Sequence, residues 1–200
     1  MNPDADAVRI SQQQALMSEE ADCLARVVRT RDEYAFSRLY DLQSPLLFAL
    51  ACRMLGAEED AQEVVQEVML KMWREAGRYD PARGSVRAWS VTMTRSRCLD
   101  RLRRRGVVRR HETQPLSDAP EPADDAPMAV EEMVRAETGA AVRRALGALP
   151  EEQRRALEAS FFDGLSQSQI SAASGEPLGT VKTRMRLGMR KLAELLKTYT

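Results

Sequence analysis

Two helix starts and a helix stop fall within the stretch Gly164-Leu-Ser-Gln-Ser-Gln-Ile-Ser-Ala-Ala-Ser-Gly-Glu-Pro-Leu-Gly179-Thr-Val-Lys-Thr-Arg-Met-Arg186. Ser166 is placed to cap a short helix carrying Ile170 and Ala173, and Gly175 to end it in a left-handed conformation. Pro177 holds the following turn out of helical geometry. Thr180 is placed to cap a second helix, in which Val181, Met185, Gly188, Leu192 and Leu195 recur on one inward face. The pattern is that of a helix-turn-helix. On the opposite face of the second helix lie Thr183, Arg186, Leu187 and Arg190, flanked by Lys182, Arg184 and Lys191. Side chains near the start of such a helix reach base edges in the major groove, while its cations and dipole hold phosphates. A solvated basic helix would look the same on its own, but the capped helix, turn and second capped helix together favour duplex DNA. The expected contact positions are Thr180, Lys182, Thr183, Arg184, Arg186 and Arg190.

Composition narrows the rest of the chain. Charged residues make up 30% and aromatics 5% of 200 residues, and no segment alternates as a strand would, so the expected fold is all-α. A formal net charge of zero argues against a protein that coats nucleic acid without selectivity. Cys23, Cys52 and Cys98 are widely spaced and form no paired pattern, which points to reduced, buried thiols rather than a disulfide framework or a zinc site. No run approaches the roughly 20 apolar residues of a membrane span, and the acidic, Gln-rich start has no signal-peptide pattern. The expected location is cytoplasmic, with no membrane insertion.

Periodicity then organises the chain. Residues 1–20 are polar, without sustained apolar spacing, and read as a mobile tail. From Ala21 to Gly56 apolar residues recur at helical spacing, and Ser44-Pro45 is expected to divide the segment into successive helices. A further helix from about Glu58 to Ala76 carries Val64, Val65, Val68, Met69, Met72 and Trp73, with Asp60, Glu63, Gln66 and Glu67 opposite. After the turn residues Asp80, Pro81 and Gly84, Ser85 is placed to cap a helix through Trp89, Met93, Leu99 and Leu102 that ends in clustered arginines. Those guanidinium groups suit phosphates. Prolines and acids at 107–128 then preclude a packed element and read as a flexible linker. The expectation is two small helical domains, 21–106 and 129–200, the second containing the helix-turn-helix.

Glu59-Asp-Ala-Gln-Glu-Val-Val-Gln-Glu-Val-Met-Leu-Lys-Met-Trp73, Tyr79-Asp-Pro-Ala-Arg-Gly-Ser-Val-Arg-Ala-Trp89 and Asp100-Arg-Leu-Arg-Arg-Arg105 together resemble the second conserved region of bacterial sigma factors of the extracytoplasmic-function type. Leu149-Pro-Glu-Glu-Gln-Arg-Arg155, continuing through Gly179-Thr-Val-Lys-Thr-Arg-Met185 to Leu192, is similar to their fourth region. The resemblance implies an alternative sigma factor with core RNA polymerase, promoter DNA and an anti-sigma factor as partners. Asp60, Glu63, Gln66 and Glu67 match positions that dock on the beta-prime clamp helices, and the second domain would meet the beta flap. Tyr79, Asp80, Arg83, Ser85, Arg95, Ser96 and Arg103 match positions that melt and capture the minus-ten element. The helix-turn-helix would read the minus-thirty-five element. Where many members carry Ala-Arg-Asn, this chain has Thr94-Arg95-Ser96, and a hydroxyl lacks the two-sided hydrogen bonding of an amide. Trp89 is expected in the core of the first domain rather than stacked on a base.

The residues offer little to catalysis. Glu63 and Glu67 stand at i,i+4, but a di-metal bundle site needs Glu-x-x-His pairs, and His111, the sole histidine, sits beside the linker. There is no Gly-rich phosphate loop or nucleophile elbow, so no catalytic residue, cofactor or metal is expected. The competing reading is a repressor or activator that binds duplex DNA without polymerase. Residues 59–105 weigh against it, because a ligand-sensing domain has no need of an acidic helix followed by an arginine-rich one.

Overall fold

The computed structural model describes residues 3–105 and 144–199, and among these every regular element is helical, with no strand. Packing divides the chain into two units, Met1–Cys98 and Leu99–Tyr199, the division falling inside one helix. The expected linker at 107–128, which includes His111, lies outside the described residues.

The first unit is built on α1 (Pro3–Thr30), α2 (Glu33–Leu55), α3 (Glu58–Glu75) and the start of α4 (Val86–Arg104). α2 packs against both α1 and α3. Its core takes Leu24 and Val27 from α1, Leu39, Leu47 and Ala51 from α2, and Val64, Val68 and Met72 from α3. Each of the larger side chains contributes about 1.5–3 kcal/mol of transfer free energy on burial. Conformational entropy offsets most of that sum.

Two expectations need correction here. Residues before Ala21 are not a structureless tail: α1 starts at Pro3, and Glu20 is 1% exposed, its Oε1 receiving Arg87 Nε at 3.0 Å. A partner 67 residues away on α4 supplies the reason, since an ion pair fixes this turn where no apolar spacing could have announced it. Nor does Ser44-Pro45 break the chain, for α2 runs straight through Pro45. The break lies at Arg31 and Asp32, where Asp32 Oδ1 accepts the Ala35 amide at 2.9 Å and caps α2. A proline inside a helix forfeits one backbone hydrogen bond. Burial of Leu39, Gln43, Leu47 and Ala51 on either side of it holds the helix together.

The second unit has helical residues at 144–147, then α5 (Glu151–Phe161), α6 (Gln167–Ser174) and α7 (Leu178–Tyr199). Ala145, Leu146, Leu149, Leu157 and Leu192 form its core, with Met185, Met189 and Leu195 packed against them. Ser166 and Gln169 form a reciprocal capping box at the start of α6: Gln169 N donates to Ser166 Oγ at 3.2 Å, and Ser166 N to Gln169 Oε1 at 2.8 Å. Gly175 ends the helix at φ 72°, a geometry that glycine adopts without Cβ strain. Thr180 is not the cap of the next helix. α7 begins at Leu178, and the amides of Thr180 and Val181 donate to the Pro177 carbonyl at 2.9 and 3.2 Å. Proline suits a helix start because its missing N–H would have no partner there in any case.

Candidate nucleic-acid and partner interfaces

α3 sorts its side chains by solvation. Ala61, Val64, Val65, Val68, Met69 and Met72 are buried, while Glu63, Gln66 and Glu67 are exposed and Asp60 is half-buried. Glu63, Gln66, Glu67 and Leu70 line one surface depression. Leu70 was not anticipated from the sequence. It stands 48% exposed on an otherwise acidic face, and only its outward position on the helix reveals it. Arg97 of α4 approaches this face, its Nε 3.8 Å from Glu67 Oε2.

Between α3 and α4 the chain makes two short turns, Ala76–Arg78 and Pro81–Arg83. The expected loop residues hold this connection in shape. Asp80 Oδ1 accepts the Ala82 amide at 2.9 Å, Tyr79 Oη donates to the Gly84 carbonyl at 2.9 Å, and Ser85 Oγ accepts the Ala88 amide at 3.2 Å to cap α4. Arg83 is exposed. Trp89 is half-buried, its ring 5.6 Å from that of Tyr79 and tilted by 42°. It thus packs against the loop rather than deep in the core. Farther along α4, Ser96 and Arg103 are exposed on one side, seven positions apart, and Arg95 is half-buried one position round the helix. Arg103 Nη1 is 3.5 Å from Asp100 Oδ1.

In the second unit, Thr180, Lys182, Thr183, Arg186 and Arg190 are all exposed on α7. The Thr183 hydroxyl donates to the Gly179 carbonyl at 2.9 Å and keeps lone pairs toward solvent. Arg184 differs from its neighbours. Its guanidinium meets Glu176 Oε2 of the turn and Glu152 Oε2 of α5, the latter at 3.2 Å. The hydrogen bond to Glu176 is the main cause raising the Arg184 pKa above its ordinary value. Neither glutamate was picked out from the sequence, because they lie 8 and 32 residues from Arg184.

None of the three cysteines forms a disulfide; Cys23 and Cys98 are buried and Cys52 is half-buried. Desolvation pushes the Cys23 and Cys52 thiols up, which keeps them protonated and weakly nucleophilic. Among the described residues no group of three or more His, Cys, Asp or Glu side chains could hold a metal ion, and no helix is long and apolar enough to cross a membrane.

The sigma-70 region 2 family model matches residues 39–107, and the sigma-70 region 4 model matches residues 139–192. The ECF RNA polymerase sigma factor SigK of Mycobacterium sp. (strain KMS) is 31% identical over 180 residues, covering 90% of this chain and 92% of its own. SigK of Mycobacterium bovis (strain BCG / Pasteur 1173P2) is likewise 31% identical over 180 residues, covering 95% of its own length. Among solved structures, Rhodobacter sphaeroides SigE in complex with the anti-sigma ChrR is 29% identical with a TM-score of 0.48, covering 89% of this chain and 98% of that one.

Proposed function

Since this chain belongs to the extracytoplasmic-function RNA polymerase sigma factors, and so acts as an alternative sigma factor, we propose that its faces divide the work of initiation as follows. The outer stripe of α3, formed by Asp60, Glu63, Gln66, Glu67 and Leu70, docks on a basic, partly apolar helical surface of core polymerase, the beta-prime clamp helices. The observation that carries this assignment is the exposed Leu70 set among carboxylates. An apolar anchor with a charged rim is the arrangement of a protein interface, where the anchor supplies affinity and the rim sets orientation.

The connection from Tyr79 to Ser85 and the outer side of α4 at Arg95, Ser96 and Arg103 receive the minus-ten element as its strands part. The hydrogen bonds at Asp80, Tyr79 and Ser85 support this reading, because a pre-shaped loop loses little entropy when it takes up an unstacked base. The exposed side of α7 lies in the major groove of the minus-thirty-five element, and the second unit meets the beta flap. An anti-sigma factor holding the chain inactive belongs to the same proposal and rests on family membership. The chain works where polymerase and promoter DNA are, in the cytoplasm.

Run-off transcription with purified core polymerase tests the assignment. Wild-type chain should give a promoter-specific transcript, and charge reversal at Glu63 should reduce it through weaker core binding. A chain that footprints a duplex operator tightly without polymerase, and yields no transcript with it, would replace this reading with that of a repressor.

A further inference from the structure

Resting on the reading of α7 as the helix that meets upstream DNA, we propose that Arg184 is a positioning residue and not a base or phosphate contact. Its role is to fix the angle at which α7 is presented. Three observations carry the assignment. Its side chain is 29% exposed, whereas Lys182, Thr183, Arg186 and Arg190 stand exposed around it. Its guanidinium meets carboxylates on two other elements, Glu176 in the turn and Glu152 at the start of α5. Glu176 is itself held in place: its carbonyl accepts the Ser171 hydroxyl, and its amide donates to Ser174 Oγ at 3.4 Å.

The planar guanidinium has five N–H donors, and a single Arg can therefore bind both carboxylates. The result ties α7 to the turn and to α5 at once, close to the helix end that would enter the groove. A cation already spanning two carboxylates has little net charge to offer a phosphate, and would lose both partners before it reached a base. Arg186 and Arg190 meet no carboxylate among the described residues and have no such loss to make up.

The test compares Arg184→Ala, Glu176→Gln, the double variant and Arg186→Ala, each in the full chain assembled with core polymerase. Affinity is measured for promoter duplexes carrying a selected upstream element or a scrambled one, over a range of salt, with helicity checked by circular dichroism. A positioning role predicts that Arg184→Ala and Glu176→Gln each weaken binding severalfold to the selected element, without changing which base pairs are preferred. It also predicts that the salt slope stays as in wild type and that the double variant is no worse than Arg184→Ala alone. The assignment is overturned if Arg184→Ala removes preference at one base pair or lowers the salt slope by about one phosphate contact. It is equally overturned if Glu176→Gln strengthens binding, as release of a DNA-contacting arginine would, or if neither variant has any effect. The milder Glu176→Gln decides the matter should Arg184→Ala fail to fold. Failure of the underlying reading looks different: Arg186→Ala would then leave discrimination between selected and scrambled elements intact.

Discussion

The Arg31 guanidinium lies 5.5 Å from the centroid of the Trp73 ring and also donates to the Trp73 backbone carbonyl, joining the end of α1 to the end of α3. Phe36 meets the same indole edge-on, its ring centroid 5.0 Å away. Arg31 holds this position at φ 54°, in the left-handed region that disfavours side chains with a Cβ. Replacing Arg31 by Ala keeps the unfavourable backbone geometry and removes both contacts, a loss of about 1–2 kcal/mol. Arg31→Gly should be less harmful than Arg31→Ala, because glycine accepts that φ freely. Urea unfolding followed by tryptophan fluorescence reads this directly, since Trp73 and Trp89 are the chain's two tryptophans and both sit in the first unit. A glycine variant less stable than the alanine one would show that backbone strain is not the controlling factor.

At Gly188, α7 lies close against α5. A Cβ built there would come within 3.0 Å of Leu157 Cδ1 and 3.2 Å of Gln153 Cβ. Alanine in a helix interior gains up to about 1 kcal/mol over glycine, while the contact demands a small shift of Leu157, whose methyl end can move. Gly188→Ala should therefore change stability by less than about 1 kcal/mol. Gly188→Leu cannot be absorbed and should cost about 1–3 kcal/mol or more. Thermal melts by far-UV circular dichroism, set beside tryptophan fluorescence, separate the second unit's transition from the first's. Equal stability of the leucine and alanine variants would mean that the two helices are not in contact at this position.

Local chemistry was legible and distant partnership was not. Ser166, Gly175 and Ser85 could be placed from the sequence because a cap is made within three or four residues of itself. Pro45 misled for the same reason: its local signal is a helix break, and core packing of α2 overrode it. Burial of Glu20 depends on Arg87, and restraint of Arg184 on Glu152, pairings across 67 and 32 residues that no periodicity encodes. Leu70 was invisible for another reason. It occupies an ordinary helical position, and only the finding that this face is outward makes it a candidate anchor.

The carboxylate of Asp32 predicts a pH dependence of known sign. The Ala35 amide and then Arg26 hold its pKa below the ordinary carboxylate value. Arg26 Nη2 and Nε reach Oδ2 at 2.6 and 3.1 Å. A depressed carboxylate contributes stability that is fully present above its unfolded-state pKa and is lost as pH falls through the lower folded value. Asp32→Ala should therefore be less stable than wild type at neutral pH, with the gap narrowing as pH drops below the ordinary carboxylate range. Asp32→Asn, which retains a cap acceptor without titrating, should hold a constant stability relative to Asp32→Ala across that range. Tryptophan-monitored unfolding at several pH values measures both. A gap between wild type and Asp32→Ala that stays constant down to strongly acidic pH would remove the charge from the account.

The α3 stripe separates anchor from rim by kinetics. Leu70 is exposed between Glu63, Gln66 and Glu67, so docking would bury one apolar side chain inside a ring of polar groups. Truncating such an anchor shortens the life of a complex, whereas reversing a rim charge slows encounter in a salt-dependent way. Leu70→Ala should weaken core polymerase binding roughly tenfold, a loss of about 1.4 kcal/mol, mainly through faster dissociation. Glu63→Lys should instead lower the association rate, and added salt should shrink the difference from wild type. A lysine in place of Glu67 would also face Arg97. Surface-immobilised core polymerase and a salt series give both rates. Unchanged dissociation of Leu70→Ala, with Glu63→Lys also binding as wild type does, would move the docking face away from α3.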